Sequence, residues 1–154
     1  MDQLKILIIE DEKNLSRTLV QALQMGSDGR YTVETCETAE MAYPLVDSKH
    51  YDLVICDLNL PGDDGFSVIS KVKQKSPKIF TILMTGYGSE EVEKKADILT
   101  EGYLTKPFDV LELVRMVQNV VKRSQKPDNK TLKRDDLERQ TQTYLAVSFP
   151  HMGQ

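Results

Sequence analysis

The sequence contains few cysteines and lacks any long apolar segment. Its only cysteines, Cys36 and Cys56, both stand among apolar residues. Cysteines placed in this way are typical of small core residues in a reducing compartment, and they favour neither a disulfide nor a metal pair. No apolar run approaches the roughly 20 residues that a membrane-spanning helix needs, and the first residues lack a secretory pattern. We therefore expect a cytoplasmic protein that does not bind a membrane.

An excess of basic charge is also absent. The chain has 20 lysines and arginines against 24 aspartates and glutamates, which gives a net charge of −4. Nucleic-acid-binding domains usually carry a basic face, so we expect no direct nucleic-acid binding by this chain. The sequence contains neither a G-x-G-x-x-G nor a G-x-x-x-x-G-K-[ST] motif, which disfavours a nucleotide-binding module. With 154 residues, 40% of them hydrophobic, it is long enough for one globular domain.

One short apolar run ends directly in a carboxylate. The segment Leu53-Val54-Ile55-Cys56 leads into Asp57, and Pro61-Gly62 follows shortly afterwards. An unbroken apolar run of this length indicates a strand that is buried on both faces. In open α/β sheets, ligands bind at the carboxyl ends of the strands. Asp57 is therefore the first candidate for a reactive residue.

The rest of the chain alternates between strand-like and helix-like segments. Strands are predicted at residues 4–9, 31–35, 53–57, 79–84 and 102–104, and each is followed by apolar residues at helical spacing. Five such units predict a doubly wound α/β domain with parallel strands and right-handed crossovers. The first, third and fourth strands are the most apolar and should be central. The predicted order is therefore 2-1-3-4-5, which is known from flavodoxin-like folds.

Two helices have unusual sequences. Thr38 is a plausible cap for the second helix, but Pro44 follows within it, so this helix should either start late or be bent. The fourth helix, at about residues 89–98, has a thin apolar side formed by Val92 and Ala96. We expect the fourth helix to be the least anchored.

The character of the chain changes near residue 124. The preceding residues, 1–123, are predicted to form one domain. Residues 124–130 are polar and contain Pro127, as linkers do. We interpret residues 124–154 as a polar tail or linker, part of which could form a helix.

Reactive side chains follow four of the five predicted strands. These side chains are Glu10 and Asp11 after the first strand, Asp57 at the end of the third, Thr85 after the fourth and Lys106 after the fifth. In a parallel sheet the carboxyl ends of the strands lie at the same edge, so these side chains should lie close together. Clustered carboxylates repel one another, and Mg²⁺ suits such a set because it prefers oxygen ligands. A lysine and a threonine hydroxyl can hold phosphoryl oxygens, so the set is typical of phosphoryl transfer.

These positions, with Pro107 after Lys106, resemble the receiver domain of a two-component response regulator of the chemotaxis-regulator type. The resemblance covers about residues 4–123. It implies that Asp57 is the phosphoacceptor and takes a phosphoryl group from the phosphohistidine of a sensor histidine kinase or phosphotransfer protein. It also implies a phosphorylation-controlled switch that catalyses its own phosphorylation and dephosphorylation and is not a turnover enzyme.

The resemblance further implies a Mg²⁺ site. Asp11 and Asp57 would bind the ion directly, the backbone carbonyl of Asn59 would be a third ligand, and Glu10 would act through water. Lys106 would pair with the phosphoryl group.

Two further roles are implied for the switch. Thr85 would move its hydroxyl toward the phosphoryl group, and Tyr103 would turn inward, which changes the face formed by the fourth helix, fifth strand and fifth helix. The Lys106–Pro107 peptide would be cis.

Alternatives exist for the function and for the output. Aspartate-based phosphohydrolases carry an Asp-x-Asp motif after a strand. Here Asn59 stands at the position of the second acid, which disfavours a phosphohydrolase. The chain is either a complete regulator that acts on a downstream partner protein or the N-terminal receiver fragment of a larger regulator with a missing output domain. A phosphorylation-linked dimer is a further expectation.

Overall fold

The computed structural model describes residues 3–125. The first compact unit of the chain runs from Met1 to Gln118. The predicted tail lies outside the described residues from position 126 onward. Within the described part, no helix is both long enough and apolar enough to cross a bilayer.

Strands and helices alternate along the described residues. They are β1 Leu4–Ile9, α1 Lys13–Gly26, β2 Tyr31–Cys36, α2 Ala39–Ser48, β3 Leu53–Asp57, α3 Gly65–Lys75, β4 Phe80–Thr85, α4 Glu90–Leu99, β5 Gly102–Thr105 and α5 Val110–Gln125. All paired strands are parallel, and their order is β2-β1-β3-β4-β5. The predicted fold class and strand order are therefore confirmed.

The burial of the strands explains this order. Every residue of β3 is buried, as are the last four residues of β1 and the last five of β4. The edge strands β2 and β5 are mostly half-buried. Continuous apolar runs are stable only where helices cover both faces, so the three most apolar strands take the centre. Cys36 and Cys56 are buried free thiols of this core, as the sequence predicts.

Helix α2 begins where its cap is predicted. The Thr38 side chain accepts a hydrogen bond from the Met41 backbone N–H at 3.1 Å. Pro44 lies inside the helix, so the expected late start is wrong. The helix continues because its inner side buries apolar residues, and this burial offsets the backbone hydrogen bond that Pro44 cannot donate. The alternative of a bent helix stays a prediction.

Helix α4 has the weakest anchorage of the helices in the first unit, as expected. Ala96 is its only buried residue, whereas α3 buries five. Segments with few buried apolar contacts open more readily. We therefore predict that amide hydrogens of α4 exchange at least about tenfold faster than those of α3, which hydrogen-exchange mass spectrometry can measure. Equal protection of the two helices would contradict this account of α4.

Candidate functional site

The strand register brings the predicted site residues to one edge of the sheet. Ile9 of β1 pairs with Cys56 of β3, so the residues that follow each of them, Glu10 and Asp57, are neighbours. In the same way, the pairing of Thr85 with Thr105 places Lys106 just beyond the end of β4. Positions far apart in sequence therefore converge because parallel strands end together.

Three carboxylates form an acidic cluster at this edge. Oxygen atoms of Glu10, Asp11 and Asp57 all lie within 4.8 Å of one another. Glu10 and Asp57 are buried, and Asp11 is exposed to solvent. Three hard oxygen donors with one open side fit a hard divalent cation that keeps some of its waters.

Lys106 bridges two of these carboxylates. Its Nζ donates to Glu10 Oε1 and, at 3.0 Å, to Asp57 Oδ2. The backbone N–H of Lys106 donates to the Thr85 carbonyl at 2.7 Å, which ties the lysine to the end of β4. The Lys106–Pro107 peptide is cis. The site thus holds one positive charge among three acidic groups.

Burial and hydrogen bonding shift the pKa values of Glu10 and Lys106. Burial raises the pKa of Glu10 to about 7, although hydrogen bonds from Lys106 and from the Glu12 backbone N–H oppose the rise. Burial lowers the pKa of Lys106, but its hydrogen bonds to Glu10 and Asp57 outweigh that effect, so the pKa is raised overall. The lysine therefore stays charged, and added positive charge would further relieve the crowded carboxylates.

The Asp57 carboxylate is held by two different donors. Lys106 contacts Oδ2, and the backbone N–H of Asn59 donates to Oδ1 at 3.1 Å. Each oxygen keeps a lone pair for another partner, because one hydrogen bond does not saturate a carboxylate oxygen. The arrangement fixes the orientation of the carboxylate and leaves it able to bind a cation or a phosphorus atom.

Gly65, the first residue of α3, contacts the backbone that carries Asp57. A Cβ atom at this position would lie 2.6 Å from the Asp57 carbonyl oxygen and 2.7 Å from Leu58 Cα. The Gly65 N–H also donates to the Leu58 carbonyl at 2.8 Å. Gly65 was not predicted from the sequence as a site residue. The available signal was a glycine at a helix start, where it is entropically unfavourable unless close backbone approach requires it.

Thr85 is fully buried beside Asn59. Its hydroxyl oxygen accepts a hydrogen bond from the Tyr87 backbone N–H at 3.1 Å and a long one from the Asn59 side-chain amide at 3.5 Å. The Asn59 side chain therefore links the end of β3 to the end of β4. This contact of the Asn59 side chain was not predicted from the sequence.

Tyr103 lies next to the site without joining the acidic cluster. Its ring packs against the core. Its hydroxyl is buried and has no hydrogen-bond partner among the described residues. A Cβ atom on Gly88, in the loop before α4, would lie 3.0 Å from that hydroxyl. Tyr103 thus faces the loop that follows Thr85, and its switch role stays a prediction.

The fold and site together define a doubly wound α/β domain with an acidic, lysine-bridged pocket at the carboxyl edge of its sheet. Residues 6–118 match the family model for the response regulator receiver domain. The chain therefore belongs to the response regulator receiver domain family. Members of this family are signalling switches, not turnover enzymes.

This chain is similar in sequence and structure to several known proteins. The transcriptional regulatory protein PmrA of Pectobacterium parmentieri is 33% identical over 137 residues, which cover 87% of this chain and 60% of PmrA. The BeF3-activated receiver domain of DrrB, a Thermotoga maritima protein, is 26% identical with a TM-score of 0.70, covering 78% of this chain and 98% of the domain. A CheY-like receiver domain from Methanospirillum hungatei, at 23% identity and a TM-score of 0.73, shares the fold, over 79% of this chain and 96% of that domain.

Proposed function

We propose that this chain is a phosphorylation-controlled switch in which Asp57 accepts a phosphoryl group from the phosphohistidine of a sensor histidine kinase or phosphotransfer protein. A carboxylate oxygen of Asp57 forms the new bond to phosphorus, the phosphorus–nitrogen bond breaks, and the imidazole leaves. The observation that carries the proposal is the position of Asp57, buried at the sheet edge beside Lys106 and the other acids. Lys106 holds a charged phosphoryl oxygen as it transfers.

The proposed cofactor is Mg²⁺, which neutralises charge on the transferring group when it is bound. Asp11 and Asp57 would be direct ligands, with the Asn59 carbonyl as the third and Glu10 acting through water. The three-carboxylate donor set supports this assignment. Asn59 in place of a second acid disfavours a phosphohydrolase, because its amide cannot protonate a leaving group.

We infer that Thr85 and Tyr103 transmit the signal. The Thr85 hydroxyl would turn from the Tyr87 N–H toward the phosphoryl group, and Tyr103 would turn inward into the space that Thr85 vacates. These movements would reshape the face formed by α4, β5 and α5. The weak anchorage of α4 supports this inference, because a small free-energy change can then shift its population.

The chain spans about 60% of the length of PmrA, so the output belongs to the proposal. We propose residues 1–123 as the receiver domain and residues 124–154 as a tail or linker. The signal would pass to a downstream partner protein or to an output domain in a longer chain, and phosphorylation could be linked to dimer formation. The expected setting is cytoplasmic.

Hydrogen exchange tests the switch directly. BeF3⁻ is the activator in the DrrB structure. We expect Mg²⁺ with BeF3⁻ to change the amide hydrogen exchange rates of residues 86–105 and to leave those of α2 unchanged. Thr85→Ala should bind the probe but lose most of the change, because the hydroxyl that couples the sites is gone. Asp57→Asn should show no response. An equal response in Asp57→Asn, or none in the wild type with BeF3⁻ bound, would contradict the proposal.

A further inference from the structure

A cluster of three side chains lies at the far end of the loop between β3 and α3, residues 58–64. The Tyr43 hydroxyl of α2 donates to Asp63 Oδ2 at 2.7 Å. The Lys71 Nζ of α3 lies 3.5 Å from the same oxygen and 4.3 Å from the centroid of the Tyr43 ring. We call Tyr43, Asp63 and Lys71 the loop clamp. It joins the loop to both neighbouring helices.

The clamped loop is the one that leads away from Asp57. Its first part is fixed by the Asn59 N–H on Asp57 Oδ1 and by the buried side chains of Leu58 and Leu60. The chain then turns through Gly62, whose φ of +88° suits glycine. Asp64 caps α3 by accepting a hydrogen bond from the Ser67 N–H at 2.9 Å, and the clamp adds a side-chain anchor at Asp63 itself. The Asn59 carbonyl therefore lies between two fixed points.

The chemistry of the clamp favours a persistent contact. A phenol that donates to an ionised carboxylate makes a charge-assisted hydrogen bond, which is stronger than a neutral one. The Tyr43 hydrogen bond and the nearby Lys71 charge lower the pKa of Asp63, so the carboxylate stays ionised. The lysine over the ring adds a cation–π contact that restrains the same two side chains.

We propose that Tyr43 is a positioning residue for the cation site: through Asp63 it fixes the loop so that the Asn59 carbonyl is already oriented toward the ion. This inference rests on the proposed function, because it assigns the Asn59 carbonyl as a ligand. Tyr43 itself does not touch the ion. Its effect is to reduce the ordering that binding would otherwise require.

The chain contains a matched control for this contact. The Tyr51 hydroxyl donates to Glu34 Oε2 at 3.1 Å, and the Lys49 Nζ lies 3.0 Å from the same oxygen. This trio has the same tyrosine hydrogen bond and lysine ion pair to one carboxylate as the loop clamp, but Glu34 belongs to the edge strand β2 and not to the loop. Tyr51→Phe therefore removes an equivalent hydroxyl without releasing the loop.

The experiment compares Tyr43→Phe, Asp63→Ala, the double variant and Tyr51→Phe in the full chain. Calorimetric titration with Mg²⁺ should give a Kd raised about threefold to tenfold for Tyr43→Phe. This loss is smaller than the roughly 10- to 100-fold loss usual for residues that orient metal ligands, because Asp63 is half-exposed and its contacts are weakened by solvent. The double variant should be no weaker than Asp63→Ala, since both changes remove the same bond. In the Mg²⁺-free protein, amides 59–63 should exchange faster in Tyr43→Phe, whereas Tyr51→Phe should match the wild type in both measurements.

Each result decides one question. Tyr43→Phe that matches Tyr51→Phe in Kd and in loop exchange would overturn the clamp while leaving the proposed function intact. Faster loop exchange with an unchanged Kd would overturn the link between the loop and the ion. Wild type that binds Mg²⁺ no better than Asp57→Asn would overturn the proposed function, and the positioning role would fall with it.

Discussion

Gly65→Ala is expected to lower the free energy of unfolding by about 3 kcal/mol and to slow phosphorylation of Asp57 sharply. The added methyl group would lie 2.6 Å from the Asp57 carbonyl oxygen, so either α3 or the end of β3 must move. Alanine has a helix propensity about 1 kcal/mol better than glycine, which would otherwise stabilise α3. The clash prevails because the atoms it meets are backbone atoms and cannot rotate away.

Chemical denaturation and initial phosphorylation rates check this prediction, with Gly86→Ala as the stability control. A Cβ atom on Gly86 meets nothing within 4 Å, so its effect on unfolding should stay within roughly 0.5 kcal/mol. A Gly65→Ala protein as stable as Gly86→Ala would show that α3 does not rest against the backbone of Asp57.

Lys106→Ala is expected to destabilise the Mg²⁺-free protein by roughly 3 kcal/mol. The lysine contacts both Glu10 and Asp57, and its removal leaves two buried carboxylates without their shared cation. Mg²⁺ should still bind and should restore part of the lost stability, because it supplies positive charge to the same carboxylates. The response of α4 and β5 to phosphorylation should be weakened, since no lysine then holds the phosphoryl group.

Lys73→Ala provides the matched control for that experiment. Lys73 of α3 pairs at 2.6 Å with Glu101, which precedes β5. The two lysines are similarly exposed, but Glu101 is more exposed than Glu10 and Asp57. Its removal should also destabilise the protein, but Mg²⁺ should not restore the loss. Thermal unfolding with and without Mg²⁺ measures both variants. If Lys106→Ala abolished Mg²⁺ binding, the assignment of Lys106 to the phosphoryl group and not to the ion would be wrong.

The strand order could be predicted because burial on two faces leaves a direct mark on sequence. The three central strands each contain an unbroken apolar run, at residues 6–9, 53–56 and 82–84, whereas β2 alternates. The convergence of the site residues then follows from parallel pairing alone. Pro44 could not be placed by the same reasoning, because its effect depends on how much the helix gains from its cap and its buried side.

The contacts that position the site were less accessible to sequence reasoning. The role of Gly65 depends on how closely α3 approaches the end of β3, and no periodicity records that distance. The clamp between Tyr43 and Asp63 joins two elements whose relative rotation is set by packing. The roles of Tyr103 and of the Asn59 carbonyl stay predictions, because they concern a phosphorylated or ion-bound state.

Intact mass spectrometry tests the central claim most directly. The wild-type chain and Asp57→Asn are each incubated with acetyl phosphate, with and without Mg²⁺. The account predicts that only the wild type with Mg²⁺ gains one phosphoryl group, and that hydroxylamine removes it, as expected for an acyl phosphate. A phosphoryl group gained equally by Asp57→Asn, or gained by the wild type without Mg²⁺, would contradict the assignment of Asp57 as the phosphoacceptor of a Mg²⁺-dependent switch.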